Sequence, residues 1–198
     1  MICRRRPPLT VTAATPSNGA VMAQDASGPG FKDINLTFSN LVTGIRANDF
    51  SVLSSNIGGA PKVAGIKPSG SPAINANLTL SRPLTPAERI TIIHKPSNVS
   101  LCLGYLPGDV TGDGRVLGAD ASMLSGVLAG TQSRPSYSTD INRDGVTNQA
   151  DSTRLNELFS GANGAERWLG RTLPACPAAP LGASPAPANA TLGSFQST

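Results

Sequence analysis

An internal repeat constrains this 198-residue chain more than any other feature of its sequence. A shift of 31 residues superposes one acidic stretch on a later one: Asp109, Asp113, Gly114 and Asp120 on Asp140, Asp144, Gly145 and Asp151. The apolar residues that follow superpose too: Leu124, Val127, Leu128 and Gly130 on Leu155, Leu158, Phe159 and Gly161. Each unit is therefore predicted to be an acidic twelve-residue loop followed by a helix of about ten residues, with one apolar face and a glycine at its end.

Both loops carry oxygen-bearing side chains at alternate positions, which is the pattern of a calcium loop. Six of the twelve acidic residues lie in 109–120 and 140–151, where their charges repel unless a cation neutralises them. Glycine at the sixth position permits the left-handed turn of such a loop. We predict two Ca²⁺ ions, one held by Asp109, Thr111, Asp113, the carbonyl of Arg115 and Asp120, the other by Asp140, Asn142, Asp144, the carbonyl of Val146, Asn148 and Asp151.

The two loops differ in their oxygen donors. In the first loop Thr111 offers only a hydroxyl and Leu117 offers no oxygen, whereas Asn148 of the second loop can bind calcium directly or through water. We therefore expect the second loop to bind calcium more tightly. Val116 and Thr147, each at the eighth position, are predicted to pair the loops back to back.

The region 9–105 has the alternating apolar pattern of β-strands. The predicted strands are 9–13, 34–38, 50–53, 63–66, 76–80, 90–94 and 99–103. In the second of them, Ile34, Leu36 and Phe38 share one face. About seven strands in roughly a hundred residues favour an antiparallel, Ig-like sandwich. The predicted fold class is therefore multidomain, with an all-β Ig-like sandwich at 9–105 and a small all-α module with paired calcium loops at 106–172.

The two ends of the chain are predicted to be disordered, at 1–8 and at 173–198. The last part, 177–198, carries no charged residue and is rich in Pro, Ala and Ser, so it has little apolar surface to bury. Arg4–Arg6 have the charge of an export signal, but no apolar stretch follows them. We expect the signal to lie upstream of a truncated start. No apolar run is long enough to span a membrane.

The residues of the β region do not favour catalysis. His94 is the only histidine and ends a predicted strand, where a structural role is expected. The acids of this region are Asp25, Asp33, Asp49 and Glu88, too scattered to predict the facing carboxylate pair of a glycosidase. The basic excess of the region is also too thin for a nucleic-acid interface. We expect neither an enzyme nor a nucleic-acid-binding protein.

Residues 105–161 resemble a type I dockerin, the duplicated EF-hand-like module of cellulosomes and related secreted bacterial assemblies. The stretches 103–110 and 78–84 are also similar to the entries and preceding sandwiches of such modules. The resemblance implies calcium-dependent docking onto a cohesin domain of another protein, commonly to tether polysaccharide-degrading enzymes. It also implies an extracellular or cell-surface location, and we expect the chain to be a monomer.

The resemblance also assigns roles to individual residues. Family recognition positions fall on Gly118, Ala119, Ser125 and Gly126 in the first unit, and on Gln149, Ala150, Asn156 and Glu157 in the second. Cys102 and Cys176 flank the module, whose ends lie close together in the family, so they are a disulfide candidate. Trp168 and Leu173 are expected to pack on the end of the module.

The sequence leaves two alternatives open. The chain could be an accessory fragment of a polysaccharide-active enzyme or a carbohydrate-binding protein, although one Trp and two Tyr supply few aromatic rings for sugar binding. It could also be a structural surface protein in which calcium only stabilises a module too small to hold itself together.

Overall fold

The computed structural model describes residues 10–68, 73–178 and 184–185. The predicted disordered start at 1–8 and most of the predicted tail at 173–198 lie outside the described residues. The described strands are β1 (Val11–Thr15), β2 (Val21–Met22), β3 (Asp33–Val42), β4 (Phe50–Ser54), β5 (Val63–Lys67), β6 (Ala73–Leu80), β7 (Glu88–His94), β8 (Val99–Tyr105) and β9 (Ser184–Pro185). The described α-helices are α1 (Gly118–Leu128), α2 (Ser136–Thr139) and α3 (Gln149–Ser160).

The region before the acidic loops consists of strands in two sheets, so the all-β prediction is confirmed for it. One sheet has the order β1-β3-β6-β5, with antiparallel neighbours throughout. The other has the order β2-β8-β7-β4, in which β2 runs parallel to β8. All seven predicted strands overlap observed ones. The two-residue strands β2 and β9 were not predicted, because so short a run carries no alternation.

Both sheets contribute to one hydrophobic core. The predicted inward face of β3 is confirmed, since Ile34, Leu36 and Phe38 are all buried. They belong to the same cluster as Ile90 of β7 and Leu103 of β8, which lie in the other sheet. The alternation of β3 therefore sets which of its faces meets the opposite sheet.

A second hydrophobic core lies in the helical region. It contains Leu124 of α1, with Leu155 and Leu158 of α3, as the repeat predicts, and Trp168 is buried among them. Val21 of β2 also belongs to it, so the β region supplies part of this core. Among residues 10–68 and 73–178, no helix has the length and apolar character needed to cross a membrane.

The structure corrects the predicted pairing of Val116 with Thr147. The N–H of Val116 donates to the carbonyl of Arg171 over 3.0 Å, and its carbonyl accepts from Gly170 over 2.8 Å. The hydroxyl of Thr147 instead lies 2.9 Å from that of Thr139. The backbone partner of Val116 is therefore the chain after α3, because that extended segment returns beside the first loop.

Residues 173–178, assigned to the predicted tail, bond to the rest of the protein. Leu173 donates its N–H to Gly114 in the first loop over 2.8 Å. Arg89 and Thr91 of β7 donate to the carbonyls of Pro174 and Pro177. A disulfide joins Cys102 of β8 to Cys176. The chain that leaves the module is thus held against the strand pair through which it entered.

Candidate metal centre

The two acidic loops share one pattern of hydrogen bonds, in which the carboxylate at the twelfth position joins the third position to the ninth. Asp120 accepts the N–H groups of Thr111 and Leu117, each over 2.8 Å. In the second loop, Asp151 accepts the N–H groups of the same two positions over 3.1 and 2.8 Å. Asp120 and Asp151 are buried and lie in the first turns of α1 and α3, where a negative charge is favourable.

The carboxylate at the first position accepts the N–H of the glycine at the sixth. The bond from Gly114 to Asp109 is 2.8 Å and that from Gly145 to Asp140 is 3.2 Å. Both glycines have positive φ, 85° and 90°, which a residue with a Cβ adopts only with strain. The carboxylate at position five accepts the N–H at position seven in both loops. The repeat in the sequence is therefore a repeat in local structure.

Burial changes the acidity of the first loop. Burial raises the pKa of Asp109 to about 6, since bonds from Gly114 and Gly112 offset it only in part and Asp120 and Asp113 add repulsion. Burial also raises the pKa of Asp120. Buried, mutually repelling carboxylates are costly to ionise, and a bound cation removes that cost.

The residues present fit a hard cation such as calcium. Each loop places its side-chain oxygens on a twelve-residue curl. Among the residues that the structure describes, Oδ1 of the buried Asp140 has no hydrogen-bond partner. A buried, unpartnered carboxylate oxygen calls for a partner such as an ion or a water. Within 10–68 and 73–178, no three His, Cys, Asp or Glu side chains converge on one point as a ready metal cluster. The loop carboxylates instead accept the backbone N–H groups described above.

The residues assigned to partner recognition lie on the accessible side of the module. Six of the eight are exposed, and Gly126 is half-buried; the exposed ones are Gly118, Ala119, Ser125, Gln149, Ala150 and Asn156. The eighth, Glu157, is half-buried and accepts hydrogen bonds from Arg154 and Asn163, which hold its pKa below the usual range. The six exposed positions therefore offer only uncharged groups to a partner.

Three residues of the β region reach the loops, although nothing in the repeat points to them. Arg89 of β7 lies against Gly114. A Cβ atom built on Gly114 would be 3.0 Å from Nη2 of Arg89. Burial lowers the pKa of Arg89, and attraction to Asp109 opposes this. Gln24 and Asp25 contact the second loop and α3. Gln24 and Asp25 lie more than a hundred residues before the second loop in sequence, so the spacing of the loop residues carries no signal for them.

The comparison with known families agrees with this geometry. No curated protein matches the chain. Dockerin domains bind calcium and mediate calcium-dependent protein–protein docking onto cohesins. Residues 107–160, which hold both loops, α1 and α3, match the family model of the dockerin type I domain.

Proposed function

We propose that this protein is a non-catalytic, calcium-dependent docking protein of the extracellular space or cell surface. The observation that carries the proposal is the bonding pattern shared by two acidic loops within the region that matches the dockerin family. The disulfide between Cys102 and Cys176 supports an oxidising location outside the cytosol. In the type I family, docking tethers enzymes of polysaccharide breakdown, and we extend that context to this protein.

Two Ca²⁺ ions are proposed, one in each loop, with the second site tighter. In the first loop the ligands are Asp109, Thr111, Asp113, the carbonyl of Arg115 and Asp120. In the second they are Asp140, Asn142, Asp144, the carbonyl of Val146, Asn148 and Asp151. Calcium would neutralise the carboxylates, and the loops supply the curl that brings their oxygens together. The free oxygen of Asp140 supports the tighter second site.

The β region is proposed to be Ig-like and non-catalytic, because its acids are already engaged. Although burial raises the pKa of Glu88, bonds from Arg82, Ser54 and Thr85 lower it to about 2, so this group stays ionised and is a poor proton donor. His94 is buried between the rings of Phe38 and Phe50. Such groups stabilise a core rather than act on a substrate.

A cohesin-like domain is the proposed partner, bound through the exposed residues of α1, α3 and the loop ends. In calcium, the protein is expected to capture from secreted proteins of its source one that carries a cohesin domain, and chelation should release it. Mass spectrometry identifies what is captured. Ser125→Arg with Asn156→Arg should weaken binding about tenfold or more, since both positions are exposed and a bulky cation obstructs contact.

Thr43→Arg with Asn75→Arg is the matched control for this docking experiment, because it adds the same two positive charges at exposed positions of the β region. It should leave docking unchanged. If nothing is captured in calcium while calcium still stabilises the module, the ions serve only the fold, which is the structural alternative.

The raised pKa of Asp109 predicts opposite pH responses of calcium affinity and metal-free stability. Lowering the pH from about 7.5 to about 5 protonates Asp109 and should weaken the first site about tenfold. Without calcium the same change stabilises the fold, because only the folded state holds this proton between the two pKa values. That stabilisation is fully present below about pH 4 and is lost as the pH rises through about 6.

Calorimetry in calcium measures the affinity, and the helical circular-dichroism signal in calcium-free buffer measures the stability at each pH, because protonation of Asp109 should raise the folded fraction of the metal-free module. In Asp109→Asn, metal-free stability should lose this pH dependence, since the titrating group is gone. A first site with equal affinity at both pH values would contradict the prediction.

A further inference from the structure

The segment 21–30 of the β region forms a joint with the second loop. The N–H of Ala23 donates to the carbonyl of Tyr137 in α2 over 3.0 Å, and that of Asp25 donates to Ile141 in the second loop over 2.9 Å. Side chains follow the backbone, because Val21 and Ala23 are buried in the core of the module. The joint is therefore a packed, hydrogen-bonded contact rather than a flexible linker.

Arg143 is the centre of this joint. It occupies the fourth position of the second loop with φ of 65°, a position that Gly112 fills in the first loop. Its guanidinium donates to the carbonyls of Asp25 over 3.0 Å, Gly28 over 3.2 Å and Pro29 over 3.0 Å. It also donates to the hydroxyl of Tyr105 over 2.9 Å. None of these acceptors belongs to the loop, so Arg143 ties the loop to the β region.

The carboxylate of Asp25 contacts both the second loop and α3. It is buried, and it pairs with Arg154 of α3 over 2.8 Å and with Arg143 over 3.6 Å. Burial alone would raise the pKa of Asp25, but bonds from Ser27 and Arg154 lower it. One ionised side chain therefore holds the loop and the helix that carries its last carboxylate, Asp151.

Gln24 extends the contact to a proposed calcium ligand. Its Nε2 lies 3.4 Å from Oδ2 of Asp140, the first carboxylate of the loop. Within the described part of the chain, Oδ1 of Asp140 has no hydrogen-bond partner. An amide that fixes one oxygen of a carboxylate orients the other, which is how outer residues position metal ligands.

We propose that residues 24–29 are an outer support of the second calcium site, with Gln24 and Asp25 as positioning residues. This proposal rests on the proposed calcium binding. Calcium at the second loop and closure of the joint are then one linked equilibrium, so calcium orders the joint and an intact joint strengthens calcium binding to the same degree. The β region and the module become a single rigid unit when the ion is bound.

Hydrogen–deuterium exchange of the full chain with and without calcium tests the linkage directly. Calcium is expected to slow exchange in peptides covering 20–30 as well as 140–151, because the amides of Ala23 and Asp25 donate across the joint. Protection of both loops with no change at 20–30 would overturn the inference and leave calcium binding intact. No protection in 109–120 or 140–151 would overturn calcium binding itself.

Asp25→Asn is the matching variant, since it removes the charge and keeps the shape of the side chain. Calorimetry with calcium alone should show the second site weakened about tenfold to a hundredfold, the usual effect of losing an outer partner, and the first site unchanged. The loss should persist at high salt, where long-range attraction is screened. Asp33→Asn makes the same chemical change at an exposed position of β3 and should change neither site. Equal second-site affinity in the two variants would overturn the proposal.

Discussion

Removing calcium is expected to unfold residues 106–172 while the β region keeps its strands. The module buries four loop carboxylates, Asp109, Asp120, Asp140 and Asp151, and without a cation their repulsion and desolvation oppose folding. A site saturated about a thousandfold above its Kd adds about 4 kcal/mol. Two such sites supply about 8 kcal/mol, which is comparable with the whole stability of a small domain.

Trp168 makes this transition measurable. It is the only tryptophan of the sequence and is buried in the core of the module, so its emission reports on the module rather than on the β region. Chelation should shift that emission and reduce the helical signal in far-ultraviolet circular dichroism, and calcium should restore both. Magnesium is the control ion, because its strict octahedral geometry suits a flexible oxygen loop poorly. Helicity retained in chelator would refute the prediction.

Loss of the disulfide has the second large expected effect. Cys102 and Cys176 are 74 residues apart, and a cross-link across a loop of that length stabilises a fold by about 4 kcal/mol. In calcium, Cys102→Ser with Cys176→Ser is therefore expected to lower Tm by about 10 °C. The change acts at the joint as well, since Pro174 and Pro177 accept bonds from β7 on either side of Cys176.

Thermal unfolding with and without reductant measures this contribution. The reference protein carries Cys3→Ser, so that the third cysteine cannot exchange with the other two. Reductant should lower the Tm of the reference and leave that of the triple serine variant unchanged. Equal Tm values for the reference and the triple variant in oxidising buffer would show that the bond contributes nothing.

Local patterns predicted the parts of the fold that depend on neighbours in sequence. The loops and helices follow from a twelve-residue spacing, and α3 ends at Gly161 with φ of 77°, as the repeat predicts. The strand Ile34–Phe38 follows from alternation, because only one face of an outer sheet is buried. In both cases the pattern that predicts the element lies within a few consecutive residues.

Contacts between distant segments could not be predicted in this way. Arg143 appears in the sequence only as a basic residue in an acidic loop, and its acceptors at 25–29 are more than a hundred residues away. The hydrogen bond between Val116 and Arg171 likewise joins segments that are distant in sequence. The burial that raises the pKa of Asp109 also depends on such tertiary packing. The donor types of the candidate site follow from spacing, whereas its supports and acidity depend on tertiary packing.

The disulfide between Cys102 and Cys176 closes the chain between them, which includes the module, into a covalent ring. A protease that cuts the backbone once anywhere between these two cysteines leaves both pieces attached to each other. Such a nicked molecule migrates as one species in non-reducing electrophoresis. It separates into two fragments only when the disulfide is reduced. In a protease-rich medium, the two parts of such a protein stay joined after a single cleavage of the peptide chain.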